Sequence, residues 1–329
     1  MANVEKPTFK AFDDGGQKVI GCKRLITTID SGGCRLAFHV WMPPSPAGVV
    51  VLYPGHGIHA QSPVSHITAE LLRDEANMAV CMLDLPGHGE SEGSAGFESA
   101  DIIIAHAIKA ARTAKAAFPD LPLSVVGNSQ GGSLAVQACL HVPEIKTLAL
   151  ITPMIGGVLR PGKELPWKAF VPLWLLARSP LGSRPLLPPP GAAPPKPGVP
   201  PPTREQILAA TYNDPKIIAR VVHDKKIGFK LGEKYTPRTI ETLRCLAAST
   251  HRQLHEIRCP FLVLTAGNDV VLPTHKAVCD ELVERAATPP EQRRAVHYPD
   301  AKHVLLADAP PAVDQAKREL VEWLQQHGR

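Results

Sequence analysis

Apolar residues along most of the chain gather into short unbroken runs rather than alternating with polar ones. Residues 49–53, 79–83, 121–126, 147–152 and 259–266 are runs of this kind. A strand buried on both faces reads this way, so the runs predict the inner strands of a parallel sheet. Helix-compatible stretches separate them: 64–76, the alanine-rich 98–118 that stops before Pro119, and 133–141. Strand–helix alternation predicts an α/β fold built on a mostly parallel, doubly wound sheet. The opening differs. Residues 18–29 and 34–41 alternate enough for an antiparallel pair joined through Asp30-Ser31-Gly32-Gly33. Residues 294–298 read as a last short strand, with a terminal helix after it.

The rhythm breaks between about residues 153 and 245. Within this region, 165–177 is apolar, holds Trp167, Phe170, Leu173, Trp174 and Leu175, and carries prolines at spacings rare in a core helix. It reads as part of a helical cap whose greasy face lines a channel or touches a membrane interface. Pro, Gly and Ala dominate 185–202, which suits neither helix nor sheet and reads as an extended, poorly ordered loop. The expected organisation is a first core part over 1–152, a cap over 153–245 inserted after the sixth strand, and a second core part over 246–329.

Candidate chemistry sits where the runs end. Gly127-Asn128-Ser129-Gln130-Gly131-Gly132 follows one run and precedes a helix, which is G-x-S-x-G in a strand–turn–helix setting. Side chains two positions either side of Ser129 would collide across so sharp a turn, and Gly127 and Gly131 remove them. The helix N-terminus beneath Ser129 then offers free N–H groups and a positive dipole end to a developing oxyanion. A serine hydroxyl needs a base, and the base needs an orienting group. In this setting the chain order is Ser, then Asp or Glu, then His. Asp269 follows the run 259–266 through Gly267-Asn268, and His303 follows the strand 294–298 through Pro299-Asp300-Ala301-Lys302. Asp300 and His297 compete for these roles, but Asp300 shares the histidine's loop and His297 lies within the strand. The assignment is Ser129 as nucleophile, His303 as base and Asp269 as orienting carboxylate. His56 and His88 read as loop-packing residues. One oxyanion N–H comes from Gln130. A second comes from the loop Pro54-Gly55-His56-Gly57-Ile58-His59, where the N–H of Ile58 is expected to point at the acyl oxygen.

With these residues in hand, the sequence resembles the monoacylglycerol lipase and lysophospholipase group of α/β-hydrolases, the serine aminopeptidase S33 type, over roughly residues 20 to 327. The anchors are His56-Gly57, Leu83-Asp84-Leu85-Pro86-Gly87-His88-Gly89-Glu90-Ser91-Glu92-Gly93, the serine turn, Tyr212-Asn213-Asp214-Pro215, Gly267-Asn268-Asp269 and Lys302-His303-Val304-Leu305. The resemblance implies an α/β-hydrolase fold and a serine carboxylester hydrolase that releases fatty acid from monoacylglycerol or lysophospholipid. It implies no cofactor and no metal. Plant esterases of the caffeoyl shikimate type share the frame, so the resemblance does not settle the substrate, and a small-ester esterase of that type is the alternative. An acyltransferase, a thioesterase or a hydrolase-fold receptor would also fit it. Trp167, Phe170 and Trp174 are the expected substrate-binding residues of the cap. The chain departs from the group at Asn128 and Gln130, where His and Met are usual, at His59, where a glycine is usual, and in the proline-rich insert.

Composition narrows the partners. With 329 residues, 44% hydrophobic and 20% charged, the chain can bury one large core plus a cap. Net charge is +5, spread without any basic run, so nucleic acid is not an expected partner. The expected partners are a small lipid ester and, peripherally, a membrane surface met by the cap. Seven cysteines form no C-x-x-C pair and read as free thiols. The first residues lack the apolar core of a signal peptide and no segment approaches twenty apolar residues, so the expected location is the cytoplasm.

Overall fold

The strands form where the apolar runs predict them. The computed structural model of the chain describes residues 7–11, 24–95, 98–156, 167–187, 204–224, 235–272 and 275–329. Among these, nine strands make one sheet: β1 (Lys10–Ala11), β2 (Arg24–Ser31), β3 (Cys34–Trp41), β4 (Gly48–Tyr53), β5 (Met78–Leu83), β6 (Leu123–Asn128), β7 (Ile145–Ile151), β8 (Phe261–Ala266) and β9 (Arg293–Tyr298). Their order is β1-β2-β3-β5-β4-β6-β7-β8-β9. The first three are antiparallel to one another, β3 is antiparallel to β5, and from β5 across to β9 the strands are parallel.

Every position of β4, β5 and β8 is buried. In β4, Val49, Val51 and Tyr53 enter one core while Val50 and Leu52 enter the other. With both faces covered, an unbroken apolar run is the pattern that strands no polar side chain inside. Helices α1 (Pro63–Asp74) and α9 (Ala312–His327) supply the second core, whereas α2 (Ala100–Ala117), α3 (Gln130–His141), α7 (Pro237–Arg252) and α8 (His275–Arg285) supply the first. The β2–β3 hairpin turns through Gly32 and Gly33 alone, at φ 65° and 78°. Two successive positive φ values are what a type I′ hairpin requires, and glycine adopts them without a Cβ penalty.

The cap leaves the core after β7 as α4 (Trp167–Arg178), α5 (Arg204–Thr211) and α6 (Pro215–His223). Because Lys10–Ala11 adds a two-residue strand, this point follows the seventh strand rather than the sixth, although it is the same run the sequence pointed to. Residues 188–202 of the proline-rich stretch, the opening of the predicted strand 18–29, and the side chains of Trp167 and Phe170 lie outside the described residues. The six described cysteines are free thiols, and Cys22 lies outside the described residues. Among the described residues, no helix is long and apolar enough to cross a membrane.

Candidate active site

β6 runs to Asn128 and α3 starts at Gln130, so Ser129 alone reverses the chain, at φ 53° and ψ −121°. The sequence predicts a longer turn with the helix starting at Ser133. The structure closes it because glycines let α3 settle directly against the sheet. A Cβ on Gly127 would lie 2.3 Å from the Gly131 carbonyl oxygen, the collision across the turn that the pattern implies. A Cβ on Gly131 would instead strike the neighbouring strand, 1.9 Å from the Tyr53 carbonyl oxygen. Positive φ at a serine costs on the order of 1–3 kcal/mol and persists only where the surroundings enforce it. Here they do: the Ser129 N–H donates to the Ile151 carbonyl at 3.0 Å, and its own carbonyl accepts from Met154 N at 2.8 Å and Gly132 N at 2.9 Å.

That strain aims the hydroxyl at the predicted partner. Nε2 of His303 lies 3.0 Å from Ser129 Oγ, and Nδ1 lies 2.6 Å from Oδ2 of Asp269. The second carboxylate oxygen of Asp269 accepts the N–H groups of Val271 and Leu272, each at 2.8 Å. A carboxylate held this way takes the Nδ1–H of the imidazole and leaves the Nε2 lone pair to the serine hydroxyl. Thr152 steadies the histidine from behind, its hydroxyl donating to the His303 carbonyl at 2.9 Å. Asp269 and His303 are buried. The competitors sit elsewhere. Asp300 is exposed in a turn, and His297 is exposed on β9 with its Nδ1 at 2.9 Å from the Thr265 hydroxyl.

The two expected oxyanion donors differ in how their N–H groups are engaged. Gln130 opens α3, so its N–H has no intrahelical acceptor. Ile58 lines the same cavity as Ser129, but its N–H donates to the Gly55 carbonyl at 3.2 Å. The sequence aimed that N–H at the acyl oxygen. Instead it closes a turn with Gly57 at φ 78°, the geometry of a type II turn, which demands glycine at that position. An acyl oxygen would share or replace this long bond.

The Gln130 side chain has its own task. Its Oε1 accepts Nδ1–H of His56 at 2.9 Å, and the His56 ring stacks on Tyr235 with centroids 5.6 Å apart. Burial, with nearby His88 adding to it, pushes His56 down to about 4 against the opposing pull of Gln130. His88 donates Nδ1–H to the Pro86 carbonyl at 2.9 Å, and burial lowers it too. Both histidines therefore pack loops as neutral rings, as their place in the chain suggested.

One group escaped the sequence reading. Asp84, fully buried after β5, accepts the N–H of Ala60 at 2.7 Å and of Glu90 at 3.0 Å, tying the Ile58 loop to the Gly87–Gly89 loop. Its Oδ2 is also 3.0 Å from Nε2 of His39, whose Nδ1 accepts from Arg24 at 3.1 Å. Burial alone would raise the Asp84 carboxyl, but the pairing with His39 and the two N–H groups more than offset it and hold it below the usual carboxylate range. The signal was present in Leu83-Asp84-Leu85-Pro86-Gly87, where an ionisable residue directly follows a buried strand.

The cavity above Ser129 is lined by apolar and neutral groups, among them Val64, Tyr212, Val221, Tyr235, Val271 and Val304. Asn128, at the position next to the serine, lines it as well. Trp174 does not line it. α4 packs against α7, and Trp174 faces outward with the Arg178 guanidinium 4.2 Å over its ring. The described lining of the cap side comes from Thr211, Tyr212 and Val221 of the α5–α6 hairpin and from Tyr235 ahead of α7, none of which the apolar sequence pattern of α4 pointed to.

Solved structures share this architecture. Monoacylglycerol lipase from Paleococcus ferrophilus superposes with a TM-score of 0.64 at 19% identity, over 89% of this chain and 99% of that one. A thermostable carboxyl esterase from Bacillus coagulans, solved with glycerol, gives 0.71 at 16% identity, covering 93% and 99%. A soluble variant of monoglyceride lipase from Saccharomyces cerevisiae, solved with a substrate analogue, gives 0.67 at 15% identity, covering 92% and 95%. At these identities the likeness establishes the α/β-hydrolase fold. No curated protein matches the chain significantly. The family model described as serine aminopeptidase, S33 (Hydrolase_4) matches residues 44–310, well over half of the sequence, and by that match this α/β-hydrolase belongs to the S33 family.

Proposed function

We propose that the chain is a serine carboxylester hydrolase that releases fatty acid from monoacylglycerol or lysophospholipid through an acyl-enzyme on Ser129. The observation that carries this is the Ser129–His303–Asp269 relay opening into a cavity with apolar walls. Ser129 Oγ attacks the ester carbonyl while Nε2 of His303 takes its proton. The resulting imidazolium keeps its Nδ1–H on Asp269, the Gln130 N–H faces the oxyanion, and the Ile58 N–H joins it as the turn bond to Gly55 yields. Collapse expels the alcohol, which takes the proton from Nε2. Water then attacks the acyl group by the same route and returns Ser129 as the free hydroxyl.

Apolar walls favour an acyl chain because each buried methylene gains about 0.8 kcal/mol. The family description names an aminopeptidase, but no carboxylate is among the described lining residues to receive a substrate ammonium group. An ester therefore fits better than a peptide N-terminus. Outside the cavity, Val171, Trp174 and Leu175 of α4 and Leu181 beyond it are exposed beside Arg178, a surface suited to an anionic membrane interface. A phenolic ester is the second reading, favoured by Tyr212 and Tyr235 in the lining; Est1E from Butyrivibrio proteoclasticus, solved with ferulic acid, shares the fold at a TM-score of 0.58 and 16% identity.

The test begins with a fluorophosphonate probe on the wild type and on Ser129→Ala, followed by acetyl, long-chain monoacylglycerol, lysophospholipid and caffeoyl esters. Labelling confined to the wild type, with long-chain monoesters turned over best, is expected. Fastest turnover of caffeoyl esters would move the substrate to the phenolic class and leave the relay intact.

A further inference from the structure

His59, the residue directly after Ile58, joins the oxyanion loop to the cap. Its carbonyl accepts the hydroxyls of Ser62 and Ser65, each at 2.8 Å, and the N–H of Ser62 at 3.0 Å, all at the start of α1. Its side chain is 1% exposed. Nδ1 accepts the N–H of Gln61 at 3.2 Å, which leaves Nε2–H to donate to Oδ2 of Asp224 at 2.9 Å. Asp224 is the C-cap of α6, and Val221, one turn earlier on that helix, lines the cavity.

The same cap hairpin is tied to the loop that carries His303. Lys302 Nζ donates to the carbonyls of Ala209 at 2.7 Å and Tyr212 at 3.3 Å, and the Asn213 amide donates to Asp308. Val304 and Ala307 pack with Leu208, Tyr212, Ile217 and Val221 in one apolar cluster. Glycines at 55 and 57 give the oxyanion loop backbone freedom, so groups outside the turn set its position: Asp84 on the Ala60 N–H holds it toward the Gly87–Gly89 loop, and Asp224 on His59 holds it toward the cap.

We propose that the His59–Asp224 hydrogen bond is a positioning contact: it fixes the Ile58 N–H by the seat of the α5–α6 hairpin, so that the acyl-pocket wall and the oxyanion donor hold one register. The idea rests on the acyl-enzyme reading above. His59 and Asp224 touch no reacting atom and act through Ile58. The long Ile58-to-Gly55 bond gives the reason a tether is needed, because an acyl oxygen can capture that N–H only if the loop stays in place while the turn bond yields.

The experiment uses the full chain and the variants His59→Ala, Asp224→Ala, Asp224→Asn and the double alanine. Each is read for kcat and KM on p-nitrophenyl butyrate. Each is also read for inhibition by an alkyl trifluoromethyl ketone, which forms a serine hemiketal oxyanion, and by the matching secondary alcohol, which does not. Deleting an oxyanion donor costs about 10²–10³ in kcat, so displacing one costs on the order of tenfold. Both single alanine variants should lose about that factor in kcat and in ketone affinity, with KM and alcohol affinity within twofold. Asp224→Asn keeps an acceptor for Nε2–H and should stay within about twofold of wild type, and the double variant should be no worse than either single one. If His59→Ala fails to fold, Asp224→Ala decides on the same readouts, since it lies at the partly exposed end of the pair. Unchanged kcat in folded variants, equal loss for ketone and alcohol, or an additive double variant overturns the proposal. A fluorophosphonate arm separates the two levels: label on the wild type with unaffected variants refutes the tether alone, and an unlabelled wild type refutes it together with the acyl-enzyme.

Discussion

Gly131→Ala tests the elbow most sharply, because the obstacle is backbone that no rotamer change can relieve. The new Cβ would lie 1.9 Å from the Tyr53 carbonyl oxygen, 2.4 Å from its carbon and 2.6 Å from the Pro54 oxygen. Real Cβ contacts do not fall below 3.0 Å, so the first turn of α3 must retreat from β4 by at least 1.1 Å, the difference between 3.0 and 1.9 Å. Overpacking of this kind costs about 1–3 kcal/mol, and the upper end applies here because Leu134 and Ala135 pull away from the core with the helix. The same retreat carries Ser129 and the Gln130 N–H off their lines, and a misplacement of about 1 Å can cost roughly a hundredfold in rate. The expected result is a Tm lower by about 5 °C in a melt followed by circular dichroism. In the folded fraction, kcat/KM on a soluble ester and the fluorophosphonate labelling rate should each drop at least about a hundredfold. Gly132→Ala, whose Cβ meets only Pro153 Cβ at 2.5 Å and Cα at 2.9 Å on a loop, should be the milder change. A Gly131→Ala protein with wild-type Tm and turnover would mean that α3 does not bear on β4 as described.

Three further outcomes follow from the same geometry. Asp269→Asn should lower kcat strongly but less than Ser129→Ala, while Asp300→Asn, in an exposed turn, should stay within twofold; the reverse ranking in ester kinetics would reassign the carboxylate. His56 has a folded pKa of about 4 against 6.5 unfolded, so the unfolded chain takes the proton first. Its contribution of up to about 3 kcal/mol is complete above pH 6.5 and is lost as pH falls toward 4, and denaturant melts of His56→Gln should show a shallower acid loss over that window. Trp174→Asp should weaken sedimentation with anionic vesicles by about tenfold while leaving kcat on a soluble ester within twofold, since Trp174 sits outside the cavity.

The sheet was legible because burial on both faces leaves its mark on every residue of a run, as in β4 and β8. The relay was legible because chain order and strand ends restrict a nucleophile, a carboxylate and a base to few positions. Local backbone was less so. Gly127 and Asn128 read as turn by composition, yet parallel pairing to Leu150 and Ile151 extends β6 through both. Pattern also could not tell which side of α4 would be covered by α7, so it left Trp174 between a channel and a membrane face; the ring lies outside the cavity lining and is exposed. The Ile58 N–H was assigned by loop position alone, and the turn it closes depends on the positive φ of Gly57. Asp84 went unread because its place after a buried strand marks it only as ionisable; that it ties two loops together depends on the Ala60 and His39 contacts, which the sequence does not show.

The β2–β3 hairpin supplies no residue to the described cavity lining and looks dispensable on a map of the site. Yet it carries His39, which donates to the interior carboxylate of Asp84 from the strand paired with β5, and Arg24, which holds that imidazole in turn. A fragment starting at Gly48, at the first parallel strand, would keep the relay and the elbow. It would also leave that carboxylate without the imidazole donor it uses on Oδ2, so that the acid gains a proton or draws in water and slackens its hold on Ala60 and Glu90. A piece of this chain able to turn over an ester should therefore begin upstream of His39, with β3 still in place beside β5.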